Sequence, residues 1–267
     1  MRKFYKHLLI GLLLCSATVT QAATMSFTTN KAVGETFAIA MNPGLTVTVT
    51  WANGEKETFV TDGSMQTLTL ASSAFTLETD TEVTSLYVAG NGLTNMDLTN
   101  ISSSLKKLYC GNNELATLNL TNFKNLAEID AQGNKLTTFK VYGPQIVNGS
   151  DNQLATFAVS QLPRLKQVYL ADNQLKGLGV SSMTGVEQLF LQRNAIKALK
   201  LNKCTSLKVL SVSNNDLTAL DIKGLNKLTD IWAGDNELKQ LDASSCGSLQ
   251  SLVAEIDGAA IMRLQNE

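Results

Sequence analysis

The chain has 267 residues, with 22 Lys and Arg against 23 Asp and Glu, a charged fraction of 17% and one histidine. So balanced a charge leaves no electrostatic footprint for nucleic acid or an anionic membrane. The lone histidine, His7, falls in an N-terminal leader, so the rest of the chain lacks the parts for a Ser-His-Asp triad, a Cys-His pair or a histidine-ligated metal centre. No enzyme activity, cofactor or metal site is therefore expected.

The chain begins "MRKFYKHLLIGLLLCSATVTQAAT", a basic start, a short apolar run and a small-residue cleavage site, which predicts a secretory signal peptide over residues 1–23. Its apolar run is too short for a membrane span, and no later segment qualifies. Leu14 stands before Cys15 where a lipidated cysteine follows a small residue, so no lipid anchor is expected. Loss of the leader removes Arg2, Lys3 and Lys6. That leaves 19 basic against 23 acidic side chains, a formal charge of −4. The mature chain is expected outside the cell, on its surface or in the periplasm.

Residues 24–82 read as a small all-β module. "LTVTVTWANGEKETFV" sets Leu45, Val47, Val49 and Trp51 on one face and Thr46, Thr48 and Thr50 on the other, the period of a half-buried strand. Asn53-Gly54 predicts a two-residue hairpin turn into a return strand through Phe59. Further strands are predicted at Phe37 to Met41, Gln66 to Leu70 and Phe75 to Thr79. The module caps the repeats that follow, or forms a second binding domain.

Residues 83–257 are a tandem repeat. Asparagines recur at Asn91, Asn113, Asn134, Asn152, Asn173, Asn194, Asn215 and Asn236, at spacings of 22, 21, 18, 21, 21, 21 and 21. An apolar frame surrounds each: Leu105, Leu108 and Cys110 before Asn113, then Leu115, Leu118 and Leu120 after it. A ninth unit begins at Leu249. The short unit, "KVYGPQIVNGSDN", has Pro144 where leucine opens the strand and Gly149 where the others place a core side chain. Cys110 takes that core position in its own unit, while Cys204 and Cys246 share a second apolar position. Two strand spacings, about 10 Å, separate that pair, too far for a disulfide, so three buried free thiols are expected. Residues 258–267 either fold over Leu249 and Leu252 or leave an open sheet edge for another chain.

The frame L-x-x-L-x-L-x-x-N-x-L resembles the leucine-rich repeat family across residues 83–257. The resemblance implies an α/β-type, right-handed solenoid with a parallel concave sheet, a short irregular convex side, and a structural ladder of buried asparagines. The 21-residue unit and the strand cysteine look like the internalin-J-like subgroup of bacterial secreted proteins. That likeness implies adhesion to host or neighbouring cells.

One side chain per unit, between the second and third apolar positions, must point outward. In order these are Tyr87, Tyr109, Asp130, Asn148, Tyr169, Phe190, Ser211, Trp232 and Val253, five of them aromatic in a chain that is 6% aromatic. The candidate binding residues are Tyr87, Tyr109, Asp130, Asn148, Tyr169, Phe190 and Trp232. Lys107, Glu128, Gln132, Gln167, Gln188, Gln192 and Asp230 form a polar rim around them. Stacking is expected for Tyr87 with Tyr109 and for Tyr169 with Phe190, which stabilises a sheet even without a ligand. A protein partner is the expected ligand, with a glycan or an assembly role through the C-terminal edge as the alternatives.

Overall fold

The computed structural model describes residues 22–160, 164–179, 183–256 and 258–264. The expected leader lies outside the described residues except for residues 22 and 23. Ala23 already belongs to the first strand.

The N-terminal module contributes β1 (Ala23–Thr29), β2 (Thr36–Met41), β3 (Thr46–Trp51), β4 (Lys56–Val60), β5 (Gln66–Thr69) and β6 (Ala74–Thr79). Alternation works as expected: Val47, Val49 and Trp51 are buried while the intervening threonines are not. The hairpin turn differs from expectation. Trp51 and Glu55 close the loop, with the Trp51 N–H donating to the Glu55 carbonyl at 2.9 Å, so three residues turn the chain rather than two. Gly54 takes φ 86°, the left-handed residue that lets a three-residue loop match the strand twist. Phe27, Phe37, Trp51 and Phe75 pack the interior, with ring centroids 5.0 to 5.9 Å apart.

Each repeat then supplies one short parallel strand: β7 (Ser85–Tyr87), β9 (Lys107–Tyr109), β11 (Glu128–Asp130), β13 (Ile146–Asn148), β15 (Gln167–Tyr169), β16 (Gln188–Phe190), β17 (Val209–Ser211), β18 (Asp230–Ala233) and β19 (Ser251–Ile256). The intervening β8 (Leu93–Asp97), β10 (Thr117–Leu120), β12 (Thr138–Tyr142) and β14 (Ala158–Ser160) lie on the other side of the coil. In the parallel strands the central residue points into the core. Leu86, Leu108, Ile129, Val147, Val168, Leu189, Leu210 and Ile231 are all fully buried. The molecule is thus a leucine-rich-repeat β-solenoid with one sheet running along its length.

The N-terminal module shares both of its sheets with the repeats. β2 pairs antiparallel with β7, continuing the concave sheet, and β8 pairs with β1 on the other face. At the far end β20 (Ala259–Leu264) pairs antiparallel with β19. The tail therefore extends the sheet by one strand.

Among the described residues almost no helix is present; a single-turn 3-10 helix spans Thr99–Ile101. The convex side, expected to be irregular, carries a parallel sheet of β10, β12 and β14. A residue of that second sheet accounts for Gly149. A Cβ on Gly149 would lie 2.9 Å from the Phe139 ring and 3.2 Å from Leu170, because Phe139 on β12 fills the core space that a side chain at 149 occupies in other units.

The repeat asparagines hold neighbouring coils in register. Asn113 is typical. Its Nδ2 donates to the carbonyls of Val88 (3.0 Å) and Cys110 (2.9 Å), while its Oδ1 accepts from the Leu93 N–H at 3.0 Å. Asn134, Asn152, Asn173, Asn194, Asn215 and Asn236 repeat this pattern. Asn91 instead exchanges two bonds with Ala38 of β2, at 2.8 and 2.6 Å, which ties the module to the first coil. The residue before every one of these asparagines is left-handed: Gly90, Asn112, Gly133, Asp151, Asp172, Arg193, Asn214 and Asp235. That turn aims the amide inward, and Asn and Asp tolerate it best after glycine.

Candidate functional site on the concave face

Strand registers align the predicted row without a break. Tyr87 sits beside Tyr109, then Asp130, Asn148, Tyr169, Phe190, Ser211, Trp232 and Val253. Neighbouring parallel strands are about 4.8 Å apart, so flat side chains in adjacent units meet face to face. Tyr87 and Tyr109 stack with centroids 4.3 Å apart and planes 5° apart. Tyr169 and Phe190 stack at 5.0 Å and 11°.

Within each stack the rings shade each other, and all four are half-buried. Ser211 departs from its expected outward exposure. It is 7% exposed, because its small side chain lies between Phe190 and Trp232. Trp232, flanked by Ser211 and Val253, stands apart from both stacks.

Between the stacks the row carries the two short polar residues, Asp130 and Asn148. Their short side chains leave a hollow of about 170 Å³, bounded by Tyr109, Glu128, Asp130, Ile146, Asn148 and Tyr169. The repeat frame puts Asp130 and Asn148 in the row, whereas the hollow and the place of Ile146 in its wall emerge only from the fold. The available signal was an apolar residue at the strand-entry position, where adjacent units carry Lys107, Glu128, Gln167 and Gln188.

Polar partners are fixed around this hollow. Asn148 Nδ2 donates to Gln132 Oε1 at 3.0 Å, and Asp130 Oδ1 accepts the Gln132 N–H at 3.1 Å. Lys107 approaches Glu128 to 3.4 Å. The Tyr169 hydroxyl lies 3.0 Å from Gln188 Oε1 and 3.2 Å from Gln167 Oε1, so its one proton is shared between them. On the Tyr109 side, burial first and then the Glu128 carboxylate hold the phenol well above the usual tyrosine range. Burial also raises the Asp130 carboxyl, with Glu128 adding to the effect and the Gln132 N–H opposing it.

Cys110, Cys204 and Cys246 form no disulfide with one another and are buried. Burial pushes the Cys204 thiol up to about 11 and raises the other two. Among the described residues no group of three His, Cys, Asp or Glu could hold a metal ion. No helix there is long and apolar enough to cross a membrane.

No protein-family model and no curated protein sequence matches the chain. Several solved structures resemble it. The functional domain of InlJ from Listeria monocytogenes, described as including a cysteine ladder, is 24% identical over 68% of this chain and 51% of that one, with a TM-score of 0.39. YopM from Yersinia enterocolitica WA-314 is 22% identical over 65% and 47%, with a TM-score of 0.46. TLR13, in its complex with ssRNA13, is 18% identical over 58% and 29%, with a TM-score of 0.39. The chain spans about half the length of the first two and less of the third. At these TM-scores the likenesses carry no functional argument, and the fold assignment rests on the strand registers and the asparagine ladder.

Proposed function

We propose that this is an exported interaction protein whose concave face binds another protein, in the manner of an adhesion module acting on host or neighbouring cells. The observation that carries the reading is the concave row itself: two stacked aromatic pairs, a polar-floored hollow between them and a separate Trp232, rimmed by hydrogen-bonding side chains. Large rings presented with a polar rim are the usual composition of a protein-binding surface, and Tyr and Trp supply most hot spots. The leader over residues 1–23 supports export, and the 21-residue unit with Cys110 in its strand supports an internalin-J-like relationship. In this reading the β-module over residues 24–82 is an N-terminal cap and residues 83–257 are the recognition surface. Nucleic acid is disfavoured, because a mature formal charge of −4 and the carboxylates of Glu128 and Asp130 repel phosphate.

The test is a surface-binding screen of residues 24–267 against panels of extracellular proteins and of glycans. A protein ligand whose binding is lost in a folded Tyr109→Ala/Tyr169→Ala/Trp232→Ala variant is the expected outcome. Glycan ligands alone would replace a protein partner with a carbohydrate one. Ligands indifferent to the triple variant would move function to the β-module or the β20 edge.

A further inference from the structure

The concave row is interrupted for two strands only. Registers place Asp130 and Asn148 between Tyr109 and Tyr169, so the ring faces turned away from the two stacks look toward each other across three strand spacings, at most about 14 Å. A flat group from outside can continue either stack there. The hollow of about 170 Å³ is smaller than the roughly 300 to 1,000 Å³ of pockets that enclose a small molecule. Its size therefore suits one side chain of a larger partner.

Charge selects which side chain. Glu128 has Lys107 as its cation, whereas Asp130 is half-buried and is held by the Gln132 N–H, with no cation beside it among the described residues. A desolvated carboxylate of this kind gains most from a ligand cation that also donates hydrogen bonds. Among side chains only arginine is at once planar, cationic and forked: its guanidinium stacks on a ring face and grips a carboxylate with two N–H groups. Lysine offers a point charge without the stacking plane. A neutral sugar ring stacks but leaves the charge uncompensated.

We infer that the hollow over Asp130 and Asn148 receives an arginine side chain of the protein partner, its guanidinium laid on the free face of Tyr109 and hydrogen-bonded to Asp130. This rests on the protein-binding reading above and specifies the partner's chemistry at one point of it. Ile146 and Tyr169 form the opposite apolar wall, against which the aliphatic stem lies.

The probe is N-acetyl-arginine-N-methylamide, titrated into the mature chain while the ring signals of 13C-labelled tyrosine are followed by NMR. Its citrulline counterpart, the same shape without the charge, serves as comparison, and a set of methyl pyranosides forms the third arm. Saturable shifts of the Tyr109 and Tyr169 signals with arginine and none with citrulline are expected. Asp130→Asn keeps the acceptor for the Gln132 N–H, so its fold survives, and it is expected to weaken the arginine response about tenfold or more. Asn148→Tyr fills the hollow and is expected to abolish the response. Equal responses to arginine and citrulline, a response unchanged in Asp130→Asn, or shifts with the pyranosides alone would each overturn the assignment. A protein partner lost in the Tyr109→Ala/Tyr169→Ala/Trp232→Ala variant but bound at full strength by Asp130→Asn would leave the concave-face reading standing and remove this one.

Discussion

Replacing Asn215 with leucine should cost far more stability than any surface change of similar size. Its Nδ2 donates to the carbonyls of Leu191 and Val212, both at 3.0 Å, and to Ser213 at 3.3 Å; its Oδ1 accepts the Ile196 N–H at 3.0 Å. Only 8% of the residue is exposed, so water cannot replace these bonds. Leucine has nearly the same shape and none of the partners. It leaves the Ile196 N–H orphaned, at about 1–3 kcal/mol, while each carbonyl keeps one other donor: Asn194 Nδ2 on Leu191, Asn236 Nδ2 on Val212 and the Arg193 N–H on Ser213. The three lost second bonds add to this and leucine's added apolar burial offsets part of it, for a net loss of about 2 kcal/mol. With an m-value of about 1–3 kcal/mol/M, the urea midpoint should fall by roughly 1 M. Because coils contact only their neighbours, the unfolding curve is expected to separate into two steps near the broken rung. The exposed Asn202→Leu should stay within about 0.5 kcal/mol of wild type. A midpoint change in Asn215→Leu no larger than that of Asn202→Leu would refute the ladder as a stabilising device.

Gly149→Ala should lose about 1–3 kcal/mol by overpacking against Phe139, and Phe139→Leu in the same chain should restore part of it, read by thermal unfolding. Asp130 has a folded pKa above its unfolded value, so its contribution to stability is fully present below about pH 4 and is lost as pH rises through the folded pKa. Asp130→Asn should therefore melt higher than wild type at neutral pH, with the difference vanishing in acid. The thiols of Cys110, Cys204 and Cys246, raised by burial, should be inert to Ellman's reagent in the native mature chain and react as three equivalents once it is unfolded in guanidinium chloride.

The repeat was legible because its signal is redundant. Asparagines at a nearly constant spacing, each within the same apolar frame, define coil length, inward positions and the outward row together. Even the two stacked pairs could be read, since adjacent units in register must bring Tyr87 to Tyr109 and Tyr169 to Phe190. What escaped depended on contacts between coils. The convex sheet arises where Thr117–Leu120, Thr138–Tyr142 and Ala158–Ser160 happen to align, and three short alternations look the same in a sequence whether or not they pair. The merging of β2 and β8 with neighbouring sheets crosses the boundary at residue 82, which composition alone marks as a break. Left-handed residues before each asparagine were concealed by their variety, with Arg193 among the glycines, Asn and Asp. The hollow is a property of absent bulk: Asp130 and Asn148 looked like interruptions of an aromatic row until the flanking rings gave them walls.

The central claim is that recognition happens on the concave face. Its most direct measurement is the affinity of an identified protein ligand for two sets of folded variants, one concave and one on exposed positions elsewhere on the coil. Single alanine changes at Tyr109, Tyr169 and Trp232 should each weaken binding by about tenfold or more, the cost of losing a hot-spot ring, while Asn122→Ala, Lys203→Ala and Lys227→Ala leave it unchanged. Loss of binding in the second set with the concave set intact would contradict the account.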